Sequence, residues 1–387
     1  VKAETTYGAS ESNPVIITPA LYTVVDTGDP IPDGADSVIM VEDLTNVGEG
    51  KLSIISAVHP WQNVRQVGED ICMGDMIAPS FTVVTPSLCG AFLTGGITEI
   101  EVIRKPVFGI IPTGDEIVSP KKNPQKGEII EFNSTIFSSM LSEWKAESKI
   151  YDIVKDKKEL LKNAILKAKE ECDAVLVLAG SSAGRDDYTS TIINDLGQVL
   201  FHGIAIKPGK PAVLGNIDNV PVIGIPGYPV SGIVVMEEFV KSLVELYYNR
   251  TVTPKTKITA KLGKRVVSSL KYREYVRVTL GKSDVGYVAV PLPRGAGVIT
   301  SFTKADGILN VPQDCEGFEA GEVVEIRILK YPCSNNSSIL HSIFSFTFDF
   351  GIYSLSILTC LKSFIYSSIL FFNGPTPRIY KRTELFA

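Results

Sequence analysis

Residues 174–188 read AVLVLAGSSAGRDDY, an apolar run entering a small-residue loop that closes on three charged side chains and a tyrosine. Ala174, Val175, Leu176, Val177 and Leu178 show no polar alternation, which predicts a strand buried on both faces within a parallel sheet covered by helices. Ligands of such sheets sit in the crevice beyond the carboxyl ends of the strands. Gly180, Ser181, Ser182, Ala183 and Gly184 leave backbone amides bare enough to approach an anion, with Asp186 and Asp187 facing whatever binds. The same grammar extends outward on both sides. A strand over Val107–Ile111 leads into PTGDE, a helix from Asn133 to about Trp144 is capped by Asn133 or Ser134, and a strand follows over Lys149–Val154. A helix over Lys157–Glu171 precedes the quoted run, and another starts near Asp187. Strands and helices alternating at this spacing predict one doubly wound α/β domain built from right-handed crossovers.

The flanking regions read differently. Residues 1–60 alternate short β-branched runs (Val15–Thr18, Ser37–Val41, Leu52–Val58) with Gly/Pro/Asp turns, predicting a small β-rich module. Over 61–104 the pattern is mixed: a turn in GEDICMGD, a short helix over Ser87–Gly95 closed by Gly95 and Gly96, and a strand over Glu101–Arg104. The central α/β domain occupies 105–250. Over 251–330 strand-like runs return (Lys257–Leu262, Tyr275–Leu280, Tyr287–Val290, Glu322–Ile328), a second β module. The fold class is therefore a multidomain chain, with a central parallel or mixed sheet between β-rich modules. Residues 331–387 are out of character, holding 8 of the 17 phenylalanines and few charges. Asp349 and Lys362 interrupt that tail before any apolar run reaches the roughly 20 residues of a spanning helix. An interfacial hairpin and a segment foreign to the fold are the two readings of it, the second preferred.

Composition narrows the function. A chain of 387 residues with 44% hydrophobic content has material for two or three cores. Its net charge of -5 argues against a basic surface for nucleic acid. The six cysteines are scattered without CxxC spacing, signalling neither a zinc site nor a disulfide framework and fitting a reducing cytoplasm. The start VKAETTYGAS has neither the basic nor the apolar region of a signal peptide, and beginning on Val1 it reads as cut. His59, His202 and His341 share no ligand spacing and are expected to be structural.

Four loops are expected where the strand ends converge: Thr113–Glu116, the GSSAGRDDY loop, KPGKP over Lys207–Pro211, and IPGYPVS over Ile225–Ser231. Acidic residues at three places (Asp115 with Glu116, Asp156, and Asp186 with Asp187) suit a magnesium ion or an acid/base role, since hard cations take oxygen ligands. Lys207 and Lys210 bring charge for a phosphate or oxyanion, and prolines around Gly209 and Gly227 preorganise the surface. Each loop taken alone has a plainer reading: TGDE as a common turn, KPGKP as a solvated hairpin, PGYPVS as a Pro/Ser helix start, and Tyr272, Arg273 and Glu274 as the solvated face of a strand.

Seven motifs in this order carry a resemblance: VDTGDPIPDGADSVIMVEDL (25–44), RQVGEDICMGD (65–75), PTGDEIV (112–118), GSSAGRDDYT (180–189), AIKPGKP (205–211), IPGYPVSG (225–232) and PRGAGVITSFTKADGIL (293–309). Across about residues 1–329 the chain resembles the molybdopterin molybdenumtransferase family, to which the enzymatic domain of gephyrin belongs. The resemblance implies that adenylylated molybdopterin and molybdate are the substrates and that AMP leaves as molybdenum cofactor forms. It implies catalytic roles for Thr27, Asp70, Glu116, Asp187, Lys207 and Lys210. Substrate contacts are implied for Arg65, Asp156, Gly180, Ser181, Ser182, Gly184, Pro226, Pro229, Arg273 and Ser301, and Mg²⁺ is implied near Glu116 and Asp187. It further implies a homodimer whose sites combine Asp187 of one subunit with Thr27 and Asp70 of the other, and a molybdopterin adenylyltransferase as pathway partner.

Two departures stand out. The family's DGxA segment, with another acidic residue, is expected just before Val1. Tyr228 stands where many members carry Asn, a variant associated with relatives that carry a periplasmic-binding-protein-like domain after the last β module, near where the odd tail begins. Two rival functions share the fold. A molybdopterin adenylyltransferase has the central domain, but the flanking modules weigh against it; a non-catalytic scaffold or cofactor carrier keeps the whole architecture, but retention of Glu116, Asp187, Lys207 and Lys210 weighs against it.

Overall fold

Ala174–Leu178 are buried throughout, Val175, Leu176 and Val177 completely, as a central strand flanked on both sides and covered on both faces requires. The computed structural model describes residues 1–179, 188–250, 255–284 and 286–330. Gly180, Ser181, Ser182, Gly184 and Asp187 of the expected loop, like the tail 331–387, lie outside the described residues. The chain divides into two compact units, one of Val1–Ile204 with Pro208–Pro254 and the other of Ala205–Lys207 with Lys255–Ala387.

The first unit opens with a small antiparallel sheet of β1 (Val15–Ile17), β2 (Leu44–Gly48) and β3 (Lys51–Ile54), ordered β1-β3-β2. No strand forms over Ser37–Val41. The donors there are spent on loops instead: Ser37 N–H on Val1 O, Val38 N–H on Gln62 O, and the Ser37 hydroxyl on His59 O. Helix α1 (Pro86–Thr94) starts with Pro at its first position and the Thr85 hydroxyl accepting from Leu88 N, and ends at Gly95, as helix-end chemistry dictates. Glu101–Arg104 is not a strand either. Arg104 instead grips the Asp173 carboxylate with both terminal nitrogens, and the same carboxylate accepts the Val107 N–H at 2.8 Å, fixing the entry to the main sheet.

That sheet is built from β4 (Val107–Pro112), the short pair β5 (Ile117–Val118) and β6 (Ile129–Ile130) beyond its end, α2 (Asn133–Glu143), β7 (Glu147–Ile150), α3 (Lys158–Glu171), β8 (Ala174–Ala179), α4 (Tyr188–Leu196) and β9 (Gln198–His202). After β10 (Ile206–Lys207), which belongs to the second unit, come β11 (Val213–Ile217), β12 (Val220–Pro226), α5 (Pro229–Val235) and α6 (Lys241–Tyr247). The order is β7-β4-β8-β12-β11-β9. The first four strands run parallel, β11 is antiparallel to β12, and β9 pairs antiparallel with β11 and so returns to the direction of the first four. Leu161, Ile165 and Ala168 recur at helical spacing along α3 and pack with Ile192 and Ile193 of α4 against Val175, Val177 and Val222. Each such aliphatic side chain contributes about 1.5–3 kcal/mol by leaving water. Helix α2 lacks the expected Asn133 or Ser134 cap: its N-cap is Phe132, and the Glu131 carboxylate accepts the Ser134 N–H at 2.8 Å instead.

The second unit comprises β13 (Lys257–Leu262), β14 (Val266–Val267), β15 (Arg273–Ser283), β16 (Gly286–Pro291), α7 (Thr300–Lys304), β17 (Gly307–Val311), β18 (Gly317–Phe318) and β19 (Val323–Ile328), with β10 added at an edge. Its main sheet runs β10-β15-β16-β13-β19-β17, and β15 also pairs with β17. The five strands from β15 round to β17 thus close on themselves as a barrel, leaving no open edge among them. Val276, Val278, Leu309 and Ile326 fill its interior.

Candidate functional site

Because β7, β4, β8 and β12 are parallel, their carboxyl ends share one edge, where in-register pairing sets Pro112 beside Leu178 and Ala179 beside Pro226. The loops that leave this edge carry the charges. Thr113 locks the first of them: its hydroxyl and its N–H both donate to Leu178 O, at 2.9 and 3.1 Å. Gly114 follows with φ of 139°, a left-handed-side value that a side chain resists, and a Cβ there would sit 2.6 Å from Ile117 Cγ1 and 3.2 Å from Glu116 Oε2. The turn therefore needs glycine, and it lays the Glu116 carboxylate against that bare Cα.

Next to it, the Gly114 N–H donates to Val154 O at 3.2 Å, and Thr113 and Val154 form an isolated parallel bridge. The loop after β7 is thereby zipped to the loop after β4, which brings Asp156 beside Asp115 and Glu116. The consequence is electrostatic. Partial burial pushes the Asp156 carboxyl above its ordinary value, and the neighbouring Asp115 and Glu116 charges push it the same way, against a backbone hydrogen bond from Asp115 and the charge of Lys155. Lys155 Nζ is itself held on Asp115 O at 2.7 Å. Asp115, Glu116 and Asp156 are all solvent-exposed, so three carboxylates crowd one accessible corner, as a hard cation with oxygen ligands favours. Among the described residues, no group of three acidic, His or Cys side chains is placed so that it could hold a metal ion by itself.

The loop after β12 closes the edge. Asn133, in the first turn of α2, donates from Nδ2 to Gly227 O at 2.8 Å. Pro226 and Pro229 are buried on either side, and Tyr228 between them is 65% exposed. Pro229 is the first residue of α5, as its locked φ allows.

The remaining residues singled out from sequence are dispersed. Lys210 is exposed, in a turn where Gly209 has φ of 117° and Lys210 O accepts the Ile204 N–H at 2.8 Å. Lys207 ends β10 in the second unit, exposed and in register with Glu274. Arg65 and Asp70 line one open pocket of about 490 Å³ together with Glu69 and Thr94. Thr27 is exposed at the tip of a turn in which Asp29 Oδ2 accepts the Asp26 N–H and Asp26 O accepts the Asp29 N–H. No hydrogen bond or ion pair joins Thr27, Arg65 or Asp70 to the acidic corner among the described residues.

In the barrel, Arg273 is exposed, but Glu274 is only 3% exposed, contrary to the expected solvated face. Ser301 is buried too. Its hydroxyl donates to Val298 O at 2.6 Å and accepts from Nε of Arg277 at 3.1 Å. Sequence reading passed over Arg277, which is 1% exposed and spends its other donors on the carbonyls of Tyr275, Pro293 and Gly295. The signal was a cation inside the apolar run Tyr275–Leu280, a residue type that is buried only with partners.

Comparison with known proteins agrees with this arrangement region by region. Residues 1–96 match the family described as the MoeA N-terminal region (domains I and II), residues 109–245 match the "probable molybdopterin binding domain", and residues 259–329 match the MoeA C-terminal region (domain IV). A molybdopterin biosynthesis protein of Methanocaldococcus jannaschii is 35% identical over 346 residues, covering 85% of this chain and 83% of its own length. The chain belongs to the MoeA family. The molybdopterin molybdenumtransferase of Haemophilus influenzae is 30% identical over 307 residues, 78% of this chain and 75% of that protein. Among solved structures, the molybdopterin biosynthesis MoeA protein of Pyrococcus horikosii superposes with a TM-score of 0.70 at 32% identity, covering 85% of each chain. Both flanking regions match MoeA-type regions, so membership rests on the whole architecture and not on the central domain alone.

Proposed function

We propose that this MoeA-family chain is a molybdopterin molybdenumtransferase, which takes adenylylated molybdopterin and molybdate and releases AMP as molybdenum cofactor forms. The observation that carries the reading is the corner at the carboxyl edge of β4 and β7, where Gly114 is zipped to Val154 and where partial burial, together with the charges of Asp115 and Glu116, holds the Asp156 carboxyl above its ordinary value. A divalent cation relieves that repulsion, and the donors are of the hard oxygen type that Mg²⁺ takes. Glu116 would hold the ion, with Asp187 as the second ligand suggested by the family resemblance. When bound, Mg²⁺ supplies charge neutralisation for a phosphoanhydride. The chain's own residues do the rest. Lys207 and Lys210 balance phosphate and molybdate charge, Asp156 adds an oxygen acceptor, and Pro226 and Pro229 hold the rim. Arg65, Asp70 and Thr27 act from the N-terminal region. Assembly as a homodimer, supply of substrate by an adenylyltransferase, and a cytoplasmic location belong to the same reading. No helix among the described residues is long and apolar enough to cross a membrane.

The test is to incubate the 387-residue chain with adenylylated molybdopterin and Mg²⁺, with and without molybdate, and to quantify AMP by chromatography. AMP release that depends on molybdate is expected. Release of no AMP in either condition, or consumption of ATP to make the adenylylated compound, would overturn the proposal in favour of a scaffold or an adenylyltransferase.

A further inference from the structure

Tyr228 is the exposed residue in a buried neighbourhood: Ile225, Pro226, Pro229 and Val230 around it are all buried, and its own side chain is 65% exposed. Single exposed aromatics are ordinary on protein surfaces, and exposure alone carries nothing. What distinguishes Tyr228 is how firmly its backbone is held. The Gly227 carbonyl on one side is gripped by Asn133 Nδ2 at 2.8 Å, and the Tyr228 carbonyl accepts the Gly232 N–H at 2.9 Å as the first hydrogen bond of α5. Pro229 fixes the next φ. The ring therefore projects from a peptide with no freedom left in it. A tyrosine then has two side-chain torsions to restrict on binding, a small entropy cost for a large contact area.

A second observation comes from the clamp itself. The bond to Gly227 O requires Nδ2 on that side, which fixes the orientation of the Asn133 amide. Its Oδ1 is buried and has no hydrogen-bond partner among the described residues. That oxygen is out of reach of solvent, and so of any ligand, which leaves Asn133 to act on the loop alone. A flat ring surface thus belongs to a clamped loop at the same sheet edge as the acidic corner. A planar heterocycle matches that surface.

We propose that Tyr228 is a specificity-determining residue: its ring is a stacking platform for a planar heterocycle of the substrate, with Asn133 as the positioning residue that holds the platform. The inference rests on the transferase reading above. That substrate carries two rings of this chemistry, an adenine and a pterin, and the experiment separates them. Dissociation constants for AMP and for molybdopterin without the nucleotide are measured by calorimetry on the wild-type chain and on Tyr228→Ala and Tyr228→Phe, alongside KM and kcat for AMP release. Because Tyr228 is exposed, neither variant threatens the fold.

Stacking on a protein aromatic is worth enough for an expected loss of roughly tenfold or more in affinity for one of the two ligands in Tyr228→Ala. Tyr228→Phe keeps wild-type affinity, and KM rises with kcat little changed. Loss for AMP identifies adenine, and loss for molybdopterin identifies pterin. Asn133→Ala weakens the same ligand, and its effect falls short of additivity with Tyr228→Ala, because both remove one platform. Affinities for both ligands within about twofold of wild type in Tyr228→Ala would overturn the inference while leaving the transferase reading intact, as would an equal loss in Tyr228→Phe, which would point to the hydroxyl. Absence of AMP release and of binding in the wild type itself would overturn both.

Discussion

The acidic corner of the first unit and the Arg277 cluster of the barrel handle charge in opposite ways. At the corner, Asp115, Glu116 and Asp156 lie exposed with like charges together, and the fold holds them there through Thr113, Gly114 and Val154, with Lys155 as the neighbouring cation among the described residues. In the barrel, Arg277, Glu274 and Ser301 are almost wholly buried and closely partnered. Arg277 is bonded to a hydroxyl and three carbonyls, and Glu274 to Ser268 at 2.8 Å and Arg294 at 3.0 Å. Burial pulls the Arg277 guanidinium below its ordinary value, with Glu274 pushing back. The contrast teaches where each kind of charge does its work. Satisfied buried charge specifies the barrel, since removing a partner strands the others, whereas unsatisfied accessible charge awaits a ligand.

The largest expected effect breaks the barrel side. Arg277→Ala leaves the carbonyls of Tyr275, Pro293 and Gly295 and the Ser301 hydroxyl without their donor, and should cost about 3–5 kcal/mol of unfolding free energy in a denaturant titration. A loss under about 1 kcal/mol would show that water takes over those partners and that the cluster is not structural.

Next comes the corner itself. Glu116→Gln preserves shape and removes one charge, so molybdate-dependent AMP release should fall about 100-fold or more, equivalent to about 2.7 kcal/mol of activation free energy. The same variant should unfold within about 0.5 kcal/mol of wild type, as an exposed substitution does. Equal losses of activity and stability would collapse the distinction between the two regions.

The sequence disclosed these regions unequally. Regular elements with strong patterns were legible nearly to the residue, as for Lys257–Leu262 and the 174–178 run, because apolar periodicity is what packing selects. Ser37–Val41 has the same β-branched character but forms no strand, because its amides and the Ser37 hydroxyl find loop carbonyls that no local pattern announces. At the site, TGDE and Asp156 could be picked out as acidic loops, but 40 residues separate them in sequence. Their contact is made by the Gly114–Val154 hydrogen bond, a product of the parallel pairing of β4 with β7. Arg273 drew notice in the barrel while Arg277, two pleat repeats further on along β15, made the contacts with Ser301. Both lie on the face opposite Val276 and Val278, which fill the interior, and only Arg277 meets Ser301 of α7, a cover that comes from tertiary packing and not from the strand's own pattern.

The smallest expected effect gives the sharpest reading of the corner. Asp156 has its folded-state carboxyl raised above the ordinary value, so the native state holds that proton more tightly than the unfolded chain does. Stability attributable to it is present at acid pH and is lost as pH rises through the carboxylate range. Asp156→Asn removes this penalty. The variant should therefore melt at or slightly above wild type at neutral pH, by no more than about 0.5 kcal/mol for an exposed site, and the gap should close as the solution is acidified below that range. Added Mg²⁺ should raise the wild-type melting temperature at neutral pH and raise that of the variant less, since the ion and the substitution relieve the same repulsion. A stabilisation that is independent of both pH and Mg²⁺ would place its origin in local packing and would leave the three carboxylates without an electrostatic claim on a cation.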